Sequence, residues 1–212
     1  MSEPPPLLFP IGLFVGTFPD GASGHHHEIR RGAKVQEISD PDLAGWAFAH
    51  GAPDAASGTD QWWDRATVER QLRERGIERA TDIVDGLLTR GLLAEVPTEG
   101  PAAVAFARAH RVVPTLYGLG NSAEHPWRYS IGLLGQELVQ VGWPVFEIWA
   151  WGDIDGDLWR ACESFARQER DAGAADPTTG DPALVLAGFL RALHGLLNAQ
   201  AAYLDSRMGS DA

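Results

Sequence analysis

The residues best equipped for chemistry in this 212-residue chain are few and scattered. His25, His26, His27 and Glu28 run consecutively, and imidazole with carboxylate is the donor set of a transition-metal site. In an extended strand, however, successive side chains alternate, which points the middle imidazole away from its two neighbours. The run therefore reads as a solvated strand start, and no metal is expected. Asp153, Asp155 and Asp157 are spaced like the first ligands of a calcium loop. The sixth position is Leu158 where glycine belongs, and the twelfth is Ser164 where glutamate belongs, so a helix-capping turn is expected instead. His50, His110, His125 and His194 lack a companion at ligand spacing, and the single cysteine, Cys162, reads as a small buried hydrophobe. The sequence contains no nucleophile elbow, glycine-rich phosphate loop or paired histidine–carboxylate signature. The expectation is a protein with no catalytic residues and no cofactor.

Composition narrows the partners. Seventeen basic against twenty-nine acidic residues give a net charge of −12, shared as −6 up to Val96 and −6 beyond it. Such an excess of carboxylate repels a phosphate backbone, so nucleic acid is an unfavoured partner. Hydrophobic residues make up 44% of the chain, too many for disorder over most of its length. No window of about 18 apolar residues exists to span a membrane. The start lacks the basic flank of a secretory signal, and one cysteine excludes an internal disulfide; both fit a cytoplasmic protein.

The elements that would position any site are organised by an internal repeat. At a spacing of 103 residues, Pro41 meets Pro144, Trp46 meets Trp149 and Ala47 meets Ala150. Leu13–Gly16 falls beside Thr115–Gly118, and Gly91-Leu-Leu beside Gly195-Leu-Leu, at spacings one residue shorter and longer. In copy one, Leu7–Thr17 and His27–Ile38 are apolar or alternating runs broken by Pro19-Asp-Gly21 and Gly32, which predicts a three-strand meander. Asp40-Pro41 then offers a capping carboxylate and a proline at the first helical position, followed by Leu43, Trp46 and Ala47 on one face. After the loop Gly51–Thr59, Thr67 can cap a helix closed by Gly76. A third helix over Ala80–Arg90 stops at Gly91. Copy two predicts strands near Val112–Gly118, Trp127–Leu133 and Glu137–Val141, then helices opening at Pro144, over Leu158–Ala172 and over Ala183–Leu204. The fold class is α+β, two tandem winged-helix-like repeats of three strands and three helices packed together. Repeat one spans 1–96, a linker helix lies within 97–111, repeat two spans 112–205, and 206–212 is a frayed tail.

At Ile38-Ser-Asp-Pro-Asp-Leu-Ala-Gly-Trp-Ala-Phe-Ala-His-Gly51 the pattern resembles the PqqD-like peptide-recognition domains of ribosomal natural-product pathways. Asp40-Pro41, Trp46 and the helix at Thr81–Gly91 carry the match in copy one, and Pro144 and Trp149 in copy two, where Gly142-Trp143 replaces the polar cap. The resemblance implies a non-catalytic protein that binds an extended leader peptide as an added strand for a peptide-modifying enzyme. It places the peptide on Val35, Gln36, Glu37 and Ile38, with Asp82, Asp85 and Thr89 near the groove lip. The acidic half favours a basic peptide. Two adjacent rings, Trp62 and Trp63, cannot both point inward from a regular element, which makes them candidate partner anchors. The alternatives are a winged-helix DNA-binding regulator using Thr67–Gly91 and an assembly adaptor in a larger complex. Glu78, Asp82 and Asp85 on that helix pair argue against phosphate contact.

Overall fold

The computed structural model describes residues 4–21, 24–52, 62–174 and 176–209, so most of the expected loop Gly51–Thr59 lies outside the described residues. The fold is mixed α+β, and its elements come in one order twice. The first series is β1 (Leu7–Pro10), β2 (Leu13–Asp20), β3 (Gly24–Arg31), β4 (Lys34–Ile38), α1 (Asp40–Phe48), α2 (Arg65–Glu74), α3 (Ala80–Thr89) and β5 (Leu93–Val96). Helix α4 (Gly100–Ala109) leads to the second: β6 (His110–Pro114), β7 (Tyr117–Asn121), β8 (Arg128–Leu133), β9 (Gln136–Gly142), α5 (Trp143–Trp151), α6 (Leu158–Asp171), α7 (Pro182–Asn198) and β10 (Ala202–Ser206). Each series holds an antiparallel meander, β2-β3-β4 or β7-β8-β9, and a two-stranded ladder, β1 with β5 or β6 with β10.

The ladders are additions to the three-strand, three-helix pattern. Leu7–Thr17, read as one strand, breaks at Gly12, whose φ is +99° and where a Cβ would stand 2.6 Å from Ile29 Cγ2. Only glycine fits there, and the chain turns from ladder to meander. The last helix, expected to reach Leu204, stops at Asn198. Gln200 takes a φ of +53°, its N–H bonding the Leu197 carbonyl while the Ala201 N–H bonds that of Leu196. Gly91 closes α3 in the same double-bonded way, through Leu88 and Leu87. Gly91 therefore corresponds to Gln200, and Gly195, its match in the sequence alignment, lies buried inside α7. The segment ending at Ser206 is a buried strand rather than helix and tail.

β1 is buried on both faces, so strand alternation divides its side chains between two cores. Leu8 joins Ile29, Ile38, Trp46, Leu72 and Leu87 in the first core. Leu7 and Phe9, with Ile11 and Val96, join Phe106, Ile131, Trp149 and Phe189 in the second. The two helix-one tryptophans reach equivalent joints but bond opposite sides of them. Trp46 Nε1 donates to the Ile11 carbonyl at 3.1 Å and Trp149 Nε1 to that of Ala201 at 2.7 Å, where Ile11 pairs Leu92 and Thr115 pairs Ala201. The series also meet at Asp205, a fully buried carboxylate that accepts the Gly32 N–H at 2.6 Å and faces Arg30 at 3.7 Å and Arg111 at 3.3 Å. With donors on each side, the desolvation of this charge is offset.

Candidate functional site

Strand β4 is the edge of its meander. Its register with β3 closes at Arg31 and Lys34 across the turn Gly32-Ala33, so antiparallel alternation turns the backbone groups of Val35 and Glu37 away from β3. Val35 and Glu37 are exposed, while Ile38 is buried and Gln36 half-buried. The edge is latched. Arg90, just past α3, donates to the Glu37 carbonyl and, at 3.3 Å, to Asp42 Oδ2, while Gln36 Nε2 donates to the Arg90 carbonyl at 3.4 Å.

The three expected lip residues separate. Asp82 lines a hollow with Ser39, Pro41, Ile77 and Ile83 and pairs with Arg79 at 3.0 Å. Asp85 turns toward α2 and pairs with Arg65 at 2.7 Å, and the Thr89 hydroxyl donates back to the Asp85 carbonyl at 2.8 Å. Neither expected tryptophan anchor stands free. Trp63 is buried, its Nε1 donating to the Phe48 carbonyl at 2.6 Å, and Trp62 is half-buried against the second core. On the α2–α3 pair, Glu69 holds Arg65 at 2.7 Å and Arg73 at 2.6 Å.

The second edge strand, β9, is built differently. Ala199 follows α7 where Arg90 follows α3, and Val145 stands 103 residues beyond Asp42, so no such latch forms. Instead Leu138 and Trp143 are exposed at 41% and 38%, beside the more exposed Leu133 and Leu134. Val139 pairs with Ile131 as Gln36 pairs with Ile29, which turns the Gln140 backbone outward.

The sequence reading missed one polar cluster. Alternation along β3 puts His25 and His27 on one face and His26 on the other, beside Glu28 at 3.5 Å. Helix α1 supplies the third member. Its N-cap is Ser39, not Asp40: the Ser39 hydroxyl accepts from the Asp42 N–H while the Asp42 carboxylate accepts from the Ser39 N–H. The Asp40 carboxylate is thereby left to meet both imidazoles, its Oδ1 lying 2.8 Å from His25 Nε2 and 2.6 Å from His27 Nε2. Hydrogen bonds from His27 and then His25 hold the Asp40 carboxyl below the usual carboxylate range. Thr17, on β2, fixes the far side of the buried ring with its hydroxyl 2.8 Å from His27 Nδ1. Alternating histidines before an acidic helix start were the available signal, but the contact itself depends on how α1 leaves the sheet.

The other candidates stay structural. Asp157 caps α6 through the Arg160 N–H at 2.9 Å, Asp153 pairs with Arg111 at 2.7 Å, and Asp155 accepts from the Ser164 hydroxyl at 3.2 Å, so the three carboxylates diverge. Asp64, not Thr67, caps α2. Cys162 is fully buried, and desolvation pushes its thiol far up from the ordinary range, away from the reactive thiolate. Among the described residues no helix is long and apolar enough to cross a membrane. No protein-family model, curated protein or solved structure matches the chain.

Proposed function

We propose that the protein is a non-catalytic recognition module that holds an extended peptide segment by adding it as a strand to a sheet edge, for delivery to a peptide-modifying enzyme. The observation that carries this reading is that each meander ends on an edge strand, β4 or β9, in a series whose third helix follows the same way. Main-chain hydrogen bonds to that edge would supply affinity, and side-chain positions along it would select the segment. The β9 edge is the readier of the two, because peptide addition at β4 must first displace Arg90 from the Glu37 carbonyl. Exposed Leu138 and Trp143 beside β9 call for apolar side chains, and the net charge of −12 favours basic ones around them. A DNA-reading role is the weaker alternative, since Arg65, Arg73 and Arg79 are already engaged by carboxylates.

The test is fluorescence anisotropy with labelled peptides covering the leader segments of precursor proteins encoded beside this gene. Val35→Pro and Gln140→Pro each remove one outward-facing N–H while leaving the ladder to the middle strand intact. The proposal expects saturable binding that weakens at least tenfold in Gln140→Pro with an unchanged circular dichroism spectrum. Binding to none of the peptides, or binding indifferent to both prolines, removes it.

A further inference from the structure

We infer that His25, His27 and Asp40 form a binding site for a divalent transition-metal ion, zinc being the best match. This inference is independent of peptide recognition. The donor set is two imidazole nitrogens and one carboxylate oxygen, the borderline-soft mixture that zinc takes and that calcium and magnesium do not. All three donor atoms lie within 4.8 Å of one another. A tetrahedral zinc ion with ligands at about 2.0–2.1 Å needs its donors roughly 3.4 Å apart. The two nitrogen–oxygen separations are 2.6 and 2.8 Å, so each opens by under about 1 Å to admit the ion.

Three features hold the donors in place. His25 and His27 sit two residues apart on the central strand, so they share a face whatever the loops do. Asp40 is the first residue of a helix started by a capping box and Pro41. Thr17 supports the buried His27 ring from behind. A hydroxyl both donates and accepts, which suits the tautomer change that metal binding requires. Without the ion, His27 Nε2–H donates to Asp40 and Nδ1 accepts from Thr17. With the ion on Nε2, the proton resides on Nδ1 and is donated to the Thr17 oxygen. The side chains of His25 and Asp40 are 50% and 66% exposed, giving the ion an entry path and leaving a fourth position to water. The second series offers Trp127, Tyr129 and Trp143 at the corresponding positions, so one ion per chain is expected.

The experiment is calorimetric titration of Zn2+ into the full, untagged chain, with visible absorption of the Co2+-substituted protein as a second readout. Expected are one ion per chain, tetrahedral Co2+ bands, a loss of at least tenfold in affinity in His27→Gln and Asp40→Asn, a loss of about 10–100-fold in Thr17→Val, and no change in His26→Gln. His25→Gln, at a half-exposed ring, gives the same test should His27→Gln fail to fold. No saturable binding, octahedral Co2+ spectra, or a loss in His26→Gln equal to that in His25→Gln would overturn the assignment.

Discussion

The corner where the middle strand of a meander meets the first helix is built twice in this molecule, once from polar groups and once from rings. In the first series it holds His25, His27 and Asp40, closed by hydrogen bonds of 2.6–2.8 Å. In the second, Tyr129 lies 5.2 Å from Trp143 and 4.8 Å from Phe146, ring centre to ring centre, and Phe146 lies 5.6 Å from Trp149. The backbone around both is alike: a proline at the second helical residue, and a tryptophan five residues on that bonds a carbonyl just outside its two-stranded ladder, Ile11 in one and Ala201 in the other. The difference extends to the caps, since Ser39 carries a capping box where Gly142 makes no side-chain bond. The scaffold thus fixes where side chains sit and leaves their chemistry free. One copy spends the corner on charge and hydrogen bonding, the other on apolar contact.

The equivalence is most severely tested at the shared tryptophans. Trp46→Ala and Trp149→Ala each remove a buried ring and its hydrogen bond to a carbonyl, and each is expected to cost about 3–5 kcal/mol in urea unfolding. Costs that differ by more than about 2 kcal/mol would break the comparison. Next comes pH. His194 lies on α7 where α3 has the exposed Asp85; buried against β1, it donates to the Leu8 carbonyl at 3.0 Å and stacks on Phe9 at 4.6 Å. Desolvation lowers its pKa from 6.5 to about 4, and that of His50 similarly. A folded-state pKa below the unfolded one means that protonation favours unfolding. Stability is therefore complete above pH 6.5 and declines as the pH falls toward 4, by about 3 kcal/mol from His194. The decline should flatten in His194→Gln. Zinc at a hundred times the wild-type dissociation constant should add about 2.7 kcal/mol to the wild type and at most about 1.4 kcal/mol to Asp40→Asn, whose affinity is at least tenfold lower. The smallest effect concerns the helix ends. Gly91→Ala should cost about 1 kcal/mol, because its φ of +67° is a left-handed conformation that a Cβ strains, while Gln200→Gly should gain up to about 1 kcal/mol. Both are read from thermal midpoints.

Much of the scaffold was legible because proline, tryptophan and the helical period leave local marks. Pro41, Pro144, Trp46 and Trp149 gave the two first helices, and Gly91 the end of the third. What was lost depended on longer-range geometry. The apolar period of α7 runs on into residues that form β10, and Gln200, with no glycine to announce it, makes the break. The β1–β5 pairing joins Leu7 to Val96 and leaves no local trace. At the candidate sites, alternation correctly separated His26 from its neighbours but could not bring Asp40 to the other two. Periodicity likewise placed Asp85 off the core stripe without telling that Arg65 on α2 would claim it.

Strand β1 serves two interiors at once, and this sets how the chain comes apart. Cutting the molecule at α4 would leave the second half without Leu7, Phe9, Ile11 and Val96, and would bare those four on the first. Neither half is then a finished body. Heating should produce one calorimetric transition for the whole chain rather than two, however plainly the architecture is doubled.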